Sequence, residues 1–385
     1  MIFTMALYLF VLFLFAVFSY GFIDLNLRLS NSPVFALLQK PLELLVFHER
    51  PIAAGIFFCF ILVFFLLYIW FLRKESVIFT TWKKAVLFLV LVSGVLICSF
   101  PALTYDIFNY ITTAKVLFIH HENPYIVMPV EIPNEPYLLF TRAANKLALY
   151  GPVWLLLTWA PYTAGMGNIW QTIVAFKLLN VLWYIGFCYL LWRVTRNMKN
   201  VLFFAFNPLV LVEVLVSAHN DIVMMTLACV GILLWQKKEW TNRFFGLFMF
   251  ILSIFIKGAT VVLIPLLFFR QLTNERLMLI ASGLMFILFV VATPIREELY
   301  PWYAVWFLST VAFLPYPKYV LLWQFCIALS FGLELRHIPY IAMGYYEGPG
   351  PIIRSVLTVL PIAAWGVYTL IHFRVKPRYK KRNQV

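Results

Sequence analysis

Long apolar runs, separated by short polar segments, follow one another along almost the whole chain. A helix needs about 20 apolar residues to cross the hydrocarbon core of a bilayer, so runs near about 14 residues predict broken, re-entrant or paired helices. The pattern therefore predicts an all-α polytopic membrane protein with about eleven to thirteen transmembrane helices. The runs are residues 2–22, 52–72, 84–103, 150–163, 170–192, 200–217, 220–235, 243–256, 258–269, 276–293, 302–316, 319–333 and 350–372.

The first run, residues 2–22, resembles a secretory signal peptide only in its position. No basic stretch precedes it, and it is longer than the apolar part of a signal peptide. We therefore predict that it is retained as the first span.

Residues 243–269 predict either one long span or a hairpin. One span would reverse the orientation of everything that follows and place the basic C-terminal tail on the opposite side of the membrane. Gly258 and Pro265 interrupt the helical pattern. We therefore predict two segments joined by a turn at Lys257 and Gly258.

Composition agrees with lipid as the main solvent. Of 385 residues, 63% are hydrophobic and 12% are charged, whereas soluble domains carry about a quarter charged residues. The five cysteines lie inside apolar runs without a CxxC pair, which predicts packing residues and no disulfide or metal site. We expect residues 1–373 to form a single transmembrane domain and residues 374–385 to form a basic tail.

The net charge of +14 has a distribution that predicts topology and no nucleic-acid partner. If the N-terminus is cytoplasmic, the cytoplasmic segments hold 19 of the 30 Lys and Arg residues and only three of the 16 acids. Such an excess is typical of loops that face the cytoplasm. We therefore predict a multi-pass plasma-membrane protein with both ends in the cytoplasm and its basic tail near anionic lipids.

One polar segment on the predicted outer side, residues 104–149, is longer than a simple tether between helices. A loop of this length in a compact protein is usually functional. Nothing interrupts a helix from Asp106 to about Phe118, and Asp106, Tyr110 and Thr113 fall near one face of it. We expect a structured extracytoplasmic loop with this helix at its start.

Asp106 follows the run 84–103 at the membrane boundary. A carboxylate keeps its charge there only if water, cations or hydrogen-bond donors reach it. An aspartate at a helix start is also a common cap, which contributes about 1 kcal/mol. Both roles, capping and catalysis, fit this position.

The turn Ser217-Ala218-His219-Asn220-Asp221 gathers polar groups on the same predicted face, with Glu213 one helical turn earlier. Asp221 would suit a helix cap, and His219 would suit the headgroup level. The two could also ligate a metal ion, although two ligands at one turn are weak evidence.

Cations and aromatic residues occur at the same outer level. Lys257 and Arg296 suit recognition of a lipid-linked phosphate, although a lone lysine at a helix end often extends to the headgroups. Trp302 and Tyr303 suit stacking against a sugar ring or an isoprenoid.

Six polar motifs follow one another along the chain. They are Asp106-Ile-Phe-Asn-Tyr110, Asn123-Pro124-Tyr125, Tyr150-Gly151-Pro152-Val-Trp154, Asn207-Pro208 with Glu213, Ala218-His219-Asn220-Asp221 and Tyr300-Pro301-Trp302-Tyr303. Taken in order, these motifs resemble those of the polyprenol-phosphate-mannose-dependent mannosyltransferases and their bacterial relatives of the GT-C class. The similarity covers roughly residues 85–310. One departure is His121-Glu122, where relatives often carry glycine.

The resemblance implies a membrane glycosyltransferase that works at the extracytoplasmic face. Mannose or another hexose would move from a polyprenyl-phosphate donor to a glycan or lipid acceptor, with inversion. Asp106 would be the general base, and Lys257 with Arg296 would hold the departing phosphate. The resemblance does not decide whether the reaction uses a divalent cation. His219 and Asp221 join the predicted catalytic set; Tyr110, Asn123, Tyr125, Tyr150, Asn220, Trp302 and Tyr303 complete the predicted substrate site.

The main alternative is a secondary transporter or a flippase for a lipid-linked sugar, and a non-catalytic membrane scaffold is a third interpretation. Transporters place ionisable groups near the bilayer midplane on broken helices of repeated halves. Here the acids cluster at one face, the halves do not correspond, and only Lys177 and Glu213 are charges well inside apolar runs.

Overall fold

A computed structural model describes residues 2–269, 272–296, 298–345 and 347–380, except for the side chains of 2, 292–296 and 372–380. Within these ranges the chain is helical and has no strand. The predicted all-α architecture is confirmed. The α-helices are α1 (Ile2–Ser19), α2 (Pro33–Phe47), α3 (Arg50–Ile78), α4 (Trp82–Ile97), α5 (Asp106–Phe118), α6 (Pro152–Ala164), α7 (Ile169–Thr195), α8 (Met198–Ala205), α9 (Pro208–Val210), α10 (Asp221–Trp235), α11 (Trp240–Lys257), α12 (Asn274–Arg296), α13 (Ala304–Val311), α14 (Val320–Leu335), α15 (Ile338–Met343) and α16 (Gly350–Lys380).

Full-length spans are fewer than the eleven to thirteen that the runs predict. In the described ranges, six helices are long and apolar enough to cross a membrane, or seven if the bent pair Met198–Ala205 and Pro208–Val216 is one span. The other runs fold into shorter helices. An apolar run indicates that a segment is shielded from water, but it does not show whether that segment crosses the membrane or turns back. The six are Phe3–Phe22, Arg50–Ile78, Ile169–Thr195, Trp240–Lys257, Asn274–Val291 and Gly350–Ile371.

Two local predictions can be compared with the backbone. Helix α11 ends at Lys257, and Gly258 adopts a left-handed conformation with φ of 67°, which glycine accepts without a steric penalty. A 3₁₀ helix, Ala259–Leu267, then follows, so the turn lies where the sequence predicts it. The helix expected after Asp106 is α5. Helix α2, by contrast, corresponds to no predicted run.

The core between α1, α3 and α4 is built from aromatic rings. Tyr8 lies edge-on to Phe71 with ring centroids 5.1 Å apart, and Phe88 lies 5.4 Å from Phe206. Phe206 occupies the break between α8 and α9, so the bend of this helix pair is packed at the centre of the protein. An edge-to-face pair such as Tyr8 with Phe71 adds stability beyond the burial of its apolar surface.

Lys177 in α7 has a structural explanation. Its side chain is fully buried, and its ammonium group donates to the carbonyl of Leu96 at 2.8 Å and to the carbonyl and hydroxyl of Ser99. Leu96 lies in the last turn of α4, and Ser99 follows two residues after the helix ends; a positive charge is favourable at this end of a helix. Lys177 therefore anchors the segment that leads from α4 to Asp106.

Several segments that the charge pattern assigns to the cytoplasm contact one another. Lys199 lies 3.9 Å from Glu75 and over the ring of Tyr316, and Lys318 pairs with Glu275. The fold thus gathers these segments at one end. The predicted tail, residues 374–385, lies outside the described side chains.

Candidate active site

A cavity of about 610 Å³ opens beside the start of α5. Two carboxylates, three guanidinium groups and one imidazole supply its charged lining, which is Asp106, Glu298, Arg142, Arg336, Arg354 and His337. A second cavity, of about 490 Å³, is lined by α3, α14 and α16 and has no carboxylate or imidazole in its described lining. The cavity beside α5 is therefore the better candidate for chemistry, and we call it the Asp106 cavity.

Asp106 is the first residue of α5, and its side chain is 24% exposed. The carboxylate lies 3.4 Å from each of three side-chain groups, the Nδ1 of His219, the hydroxyl of Tyr150 and the Nδ2 of Asn109. A capping carboxylate would accept from backbone N–H groups, and in the described part of the chain its resolved contacts are to side chains. This geometry favours a role in the cavity over a capping role.

His219 is buried between two carboxylates. Its Nδ1 lies 3.4 Å from Asp106, and its Nε2 lies 3.2 Å from Glu213. Neither contact has the alignment of a good hydrogen bond, so the attraction is mainly between charges. The ring also stacks on Trp302, with centroids 4.1 Å apart and planes at 18°.

These contacts change the proton affinity of both partners. Burial lowers the pKa of His219, but the contacts with Asp106 and Glu213 outweigh it and raise the pKa to about 9. Burial raises the pKa of Asp106, but His219, Lys257 and Tyr150 together bring it below its ordinary value. At neutral pH the site therefore contains an imidazolium held between carboxylates.

The backbone around His219 is strained and held on both sides. Ala218 is buried with φ of 61°, a conformation that costs an L-residue about 1–2 kcal/mol. The His219 backbone N–H donates to the carbonyl of Glu213 at 3.0 Å, and Asn180 donates to the carbonyl of His219 at 3.2 Å. Glu213 itself lies in a π-helical turn, Leu211–Val216, and such turns are frequent at functional sites.

Asp221 and Lys257 form a pair beside this turn. The Lys257 ammonium contacts both oxygens of Asp221, at 2.9 and 3.0 Å, and the indole N–H of Trp306 donates to the same carboxylate. The ammonium also lies 5.0 Å from the ring centre of Tyr303. The charge of Lys257 is therefore largely balanced by Asp221, and neither residue lines the Asp106 cavity.

Tyr110 and Tyr150 connect the polar loop of residues 104–149 with the turn at His219. Their rings meet edge to face at 4.8 Å, and the Tyr110 hydroxyl accepts from the backbone N–H of Asn220 at 3.4 Å. Gly151 approaches the carbonyl of Phe255 so closely that a β-carbon would clash with it. The glycine of the Tyr150-Gly151-Pro152 motif thus lets Tyr150 reach Asp106.

The remaining predicted residues differ in their closeness to the site. Tyr125 donates from its hydroxyl to the carbonyl of Tyr150 at 2.8 Å, whereas Asn123 is exposed and accepts from the Tyr125 backbone N–H. Asn220 is buried, and its amide has no hydrogen-bond partner in the described part of the chain. The side chain of Arg296 lies outside the described residues.

Five charged or titratable residues of the cavity have no place in the predicted site. Arg142 lies over the ring of Tyr105 at 4.8 Å, and Glu298 pairs with Arg354 and lies 3.8 Å from Arg336. The adjacent charges of Arg336 and His337 are visible in the sequence, but they form no motif. No sequence pattern links these residues to Asp106, so the sequence did not indicate that they share its cavity.

No metal site is formed by the side chains that the structure describes: within them, no three His, Cys, Asp or Glu residues have an arrangement that could hold an ion. His219 and Asp221, the two candidate ligands of the sequence, turn toward different partners, Glu213 and Lys257.

Comparison with known protein families places most of the chain in one of them. Residues 10–272 match the family model described as the N-terminal domain of alpha-(1->6)-mannopyranosyltransferase. The match includes Asp106, His219 and Lys257, and it ends before Trp302. No curated protein and no solved structure matches the chain.

Proposed function

The chain belongs to the alpha-(1->6)-mannopyranosyltransferase family, and from this premise we propose that it transfers mannose, or another hexose, from a polyprenyl-phosphate donor to a hydroxyl of a glycan or lipid acceptor. The chain is a membrane glycosyltransferase with a sugar donor and an acceptor; the lipid-phosphate donor is our proposal. The observation that carries it is the half-buried carboxylate of Asp106 in a cavity that also holds three arginines.

The proposed reaction is a single displacement. Asp106 takes the proton of the acceptor hydroxyl while that oxygen forms a bond to the anomeric carbon. The bond between the anomeric carbon and the phosphate oxygen breaks, and its electron pair leaves with the phosphate. Attack opposite the leaving group inverts the anomeric configuration. The positive charge of His219 keeps Asp106 ionised and thus ready to accept a proton.

We assign the donor phosphate to the arginines of the cavity instead of to Lys257. Arg142, Arg336 and Arg354 carry three positive charges against the two carboxylates of Asp106 and Glu298. Guanidinium groups bind phosphate through paired hydrogen bonds and stabilise the charge that develops on it. Lys257 would instead hold Asp221 and the turn at His219. The stack of Tyr300 on Trp302, with centroids 4.6 Å apart, offers a platform for a sugar ring.

The experiment that tests this function uses purified protein in lipid nanodiscs. We expect sugar transfer from synthetic polyprenyl-phosphate mannose to an acceptor panel, with inversion seen by NMR of the product. A nucleotide-linked mannose should not serve as donor. Transfer from the nucleotide sugar alone would contradict the proposal, as would movement of a lipid-linked sugar across the membrane without any transfer.

The same assay tests the phosphate site with one variant and its control. We expect Arg142→Gln to raise the KM for the donor by about tenfold, because a charge-assisted hydrogen bond is lost. Lys146→Gln is the matched control, since Lys146 is an exposed cation of the same loop and does not line the cavity. Equal donor KM values in both variants would remove Arg142 from the phosphate site.

We further propose that the Asp106 cavity faces the extracytoplasmic side of the plasma membrane and that the C-terminus is cytoplasmic, as the charge distribution predicts. In a cysteine-free background, Glu347→Cys should react with an impermeant thiol reagent added to intact cells. Lys237→Cys should react only after permeabilisation. Both positions are exposed and are expected on opposite sides. The reverse labelling pattern would overturn this topology.

A further inference from the structure

Four side chains form a row that begins and ends at the Asp106 cavity. Asp106 lies 3.4 Å from His219, His219 lies 3.2 Å from Glu213, and the other oxygen of Glu213 lies 3.3 Å from the Nε2 of His337. Asp106 and His337 both line the cavity. Carboxylates and imidazoles alternate along the row. Each carboxylate therefore contacts an imidazole, which is positively charged when it is protonated.

The middle of the row is closed to water, and its ends are open. The side chains of His219 and Glu213 are 0% and 1% exposed, whereas those of Asp106 and His337 are 24% and 14% exposed. Charges interact strongly where water is excluded. A change of charge on His337 is therefore felt through Glu213 and His219, and not only through the solvent of the cavity.

Glu213 is the point at which the two imidazoles are coupled. Each of its oxygens contacts one ring, and its backbone carbonyl accepts from the N–H of His219. When His337 is protonated, Glu213 is shared between two cations and neutralises less of the charge on His219. More of that positive charge then acts on Asp106, which holds the carboxylate in its ionised form.

We propose that His337 is a positioning residue for Asp106, acting through Glu213 and His219, and that its charge sets the pH range in which Asp106 can accept the proton of the acceptor. This inference rests on the proposed role of Asp106 as the general base. It assigns a function to a residue at the far end of the row, and it links the base to the part of the cavity that holds Arg336 and Arg354.

Other charged and titratable groups also face this row. Asp106 is approached by Tyr150 and by the charge of Lys257, and Glu213 is approached by Glu334 of α14. Arg336 precedes His337 in the chain and carries the same charge in all variants described below. A substitution at His337 leaves all of these groups in place, so its effect on the pH profile reports on the row.

The test is the dependence of kcat on pH, measured with saturating polyprenyl-phosphate mannose for wild type and two variants of opposite charge. His337→Gln has no positive charge, and we expect its acidic limb to move to higher pH by about half a unit to one unit. His337→Lys keeps a permanent positive charge, and we expect its limb to stay in place or move to lower pH. The KM for the donor should change little in either variant.

His120→Gln is the control, because His120 is an exposed histidine of the outer loop that does not line the cavity; its profile should match that of wild type. If both His337 variants shift the limb in the same direction, or if activity falls in parallel at all pH values, the inference is wrong. A changed donor KM with an unchanged profile would also overturn it and would make His337 a phosphate ligand. Asp106→Asn in the same assay tests the underlying function separately.

Discussion

Asp106→Asn is expected to lower sugar transfer by about a hundred- to ten-thousand-fold, the usual effect of removing a general base. Asparagine has nearly the same size as aspartate, and it can still contact Tyr150 and Asn109. It cannot accept the proton of an acceptor hydroxyl. The measurement is initial transfer rate with purified protein and synthetic polyprenyl-phosphate mannose. Donor binding and the melting temperature are measured in parallel.

The comparison separates a base from a structural carboxylate. Glu122→Gln removes an exposed acid of the same loop and should leave transfer near wild type. If Asp106 has only a structural role, Asp106→Asn should show near-normal turnover. Asp106→Ala should then have a lower melting temperature than wild type. Near-normal turnover by the asparagine variant would remove Asp106 from the proposed mechanism.

Stability should fall as the pH rises above neutral, because the pKa of His219 is raised to about 9 in the folded protein. A raised pKa means that the folded state binds the proton more tightly than the unfolded chain, whose histidine pKa is about 6.5. The stabilisation is complete below pH 6.5 and is lost as the pH approaches 9. The rise of the His219 pKa from about 6.5 to about 9 corresponds to about 3 kcal/mol in the free energy of unfolding. Thermal unfolding in detergent between pH 6 and pH 9.5 measures it.

The acidic side of the stability profile has the opposite cause. The pKa of Asp106 is lowered, so its stabilising contribution is present above its ordinary value and is lost as the pH falls below that range. The mutual attraction of Asp106 and His219 is thus largest where both are charged. We expect maximal stability in the weakly acidic range.

His219→Gln provides the check on this assignment. It should lose the pH dependence between 6.5 and 9, and it should be less stable at pH 6 by about 3–5 kcal/mol because Glu213 keeps a buried charge with one partner fewer. His120→Gln should retain the wild-type profile. Parallel curves for wild type and His219→Gln would show that another group controls stability in this range.

Much of the helical framework follows from local properties of the chain. The helix after Asp106 and the turn at Lys257 and Gly258 lie where the sequence predicts them. A helix forms or breaks according to residues that are close together in the chain. Helical periodicity and helix breakers can therefore be read from the sequence. Helix α2 was missed because its polar positions break up the apolar run.

Other features depend on contacts that no local pattern contains. The phosphate contact of Lys257 stays a prediction of the sequence, and the structure adds a partner that the sequence did not indicate, the carboxylate of Asp221. It marked Lys177 as a charge inside a span, and packing turns that charge toward the end of α4. In both cases the partner decides the role of the charge, and the partner comes from another helix.

The candidate site shows the same division between sequence and tertiary structure. By itself the sequence determined an all-helical membrane protein, and it predicted a structured polar loop with Asp106 at its start and a polar turn at His219. Only the tertiary structure decided that these groups meet, and that Glu213 and His337 extend the contact to a second point of the cavity. The reason is physical: burying a charge in a helical bundle costs much free energy unless a partner lies beside it, and residues about a hundred positions apart become partners only when the helices pack.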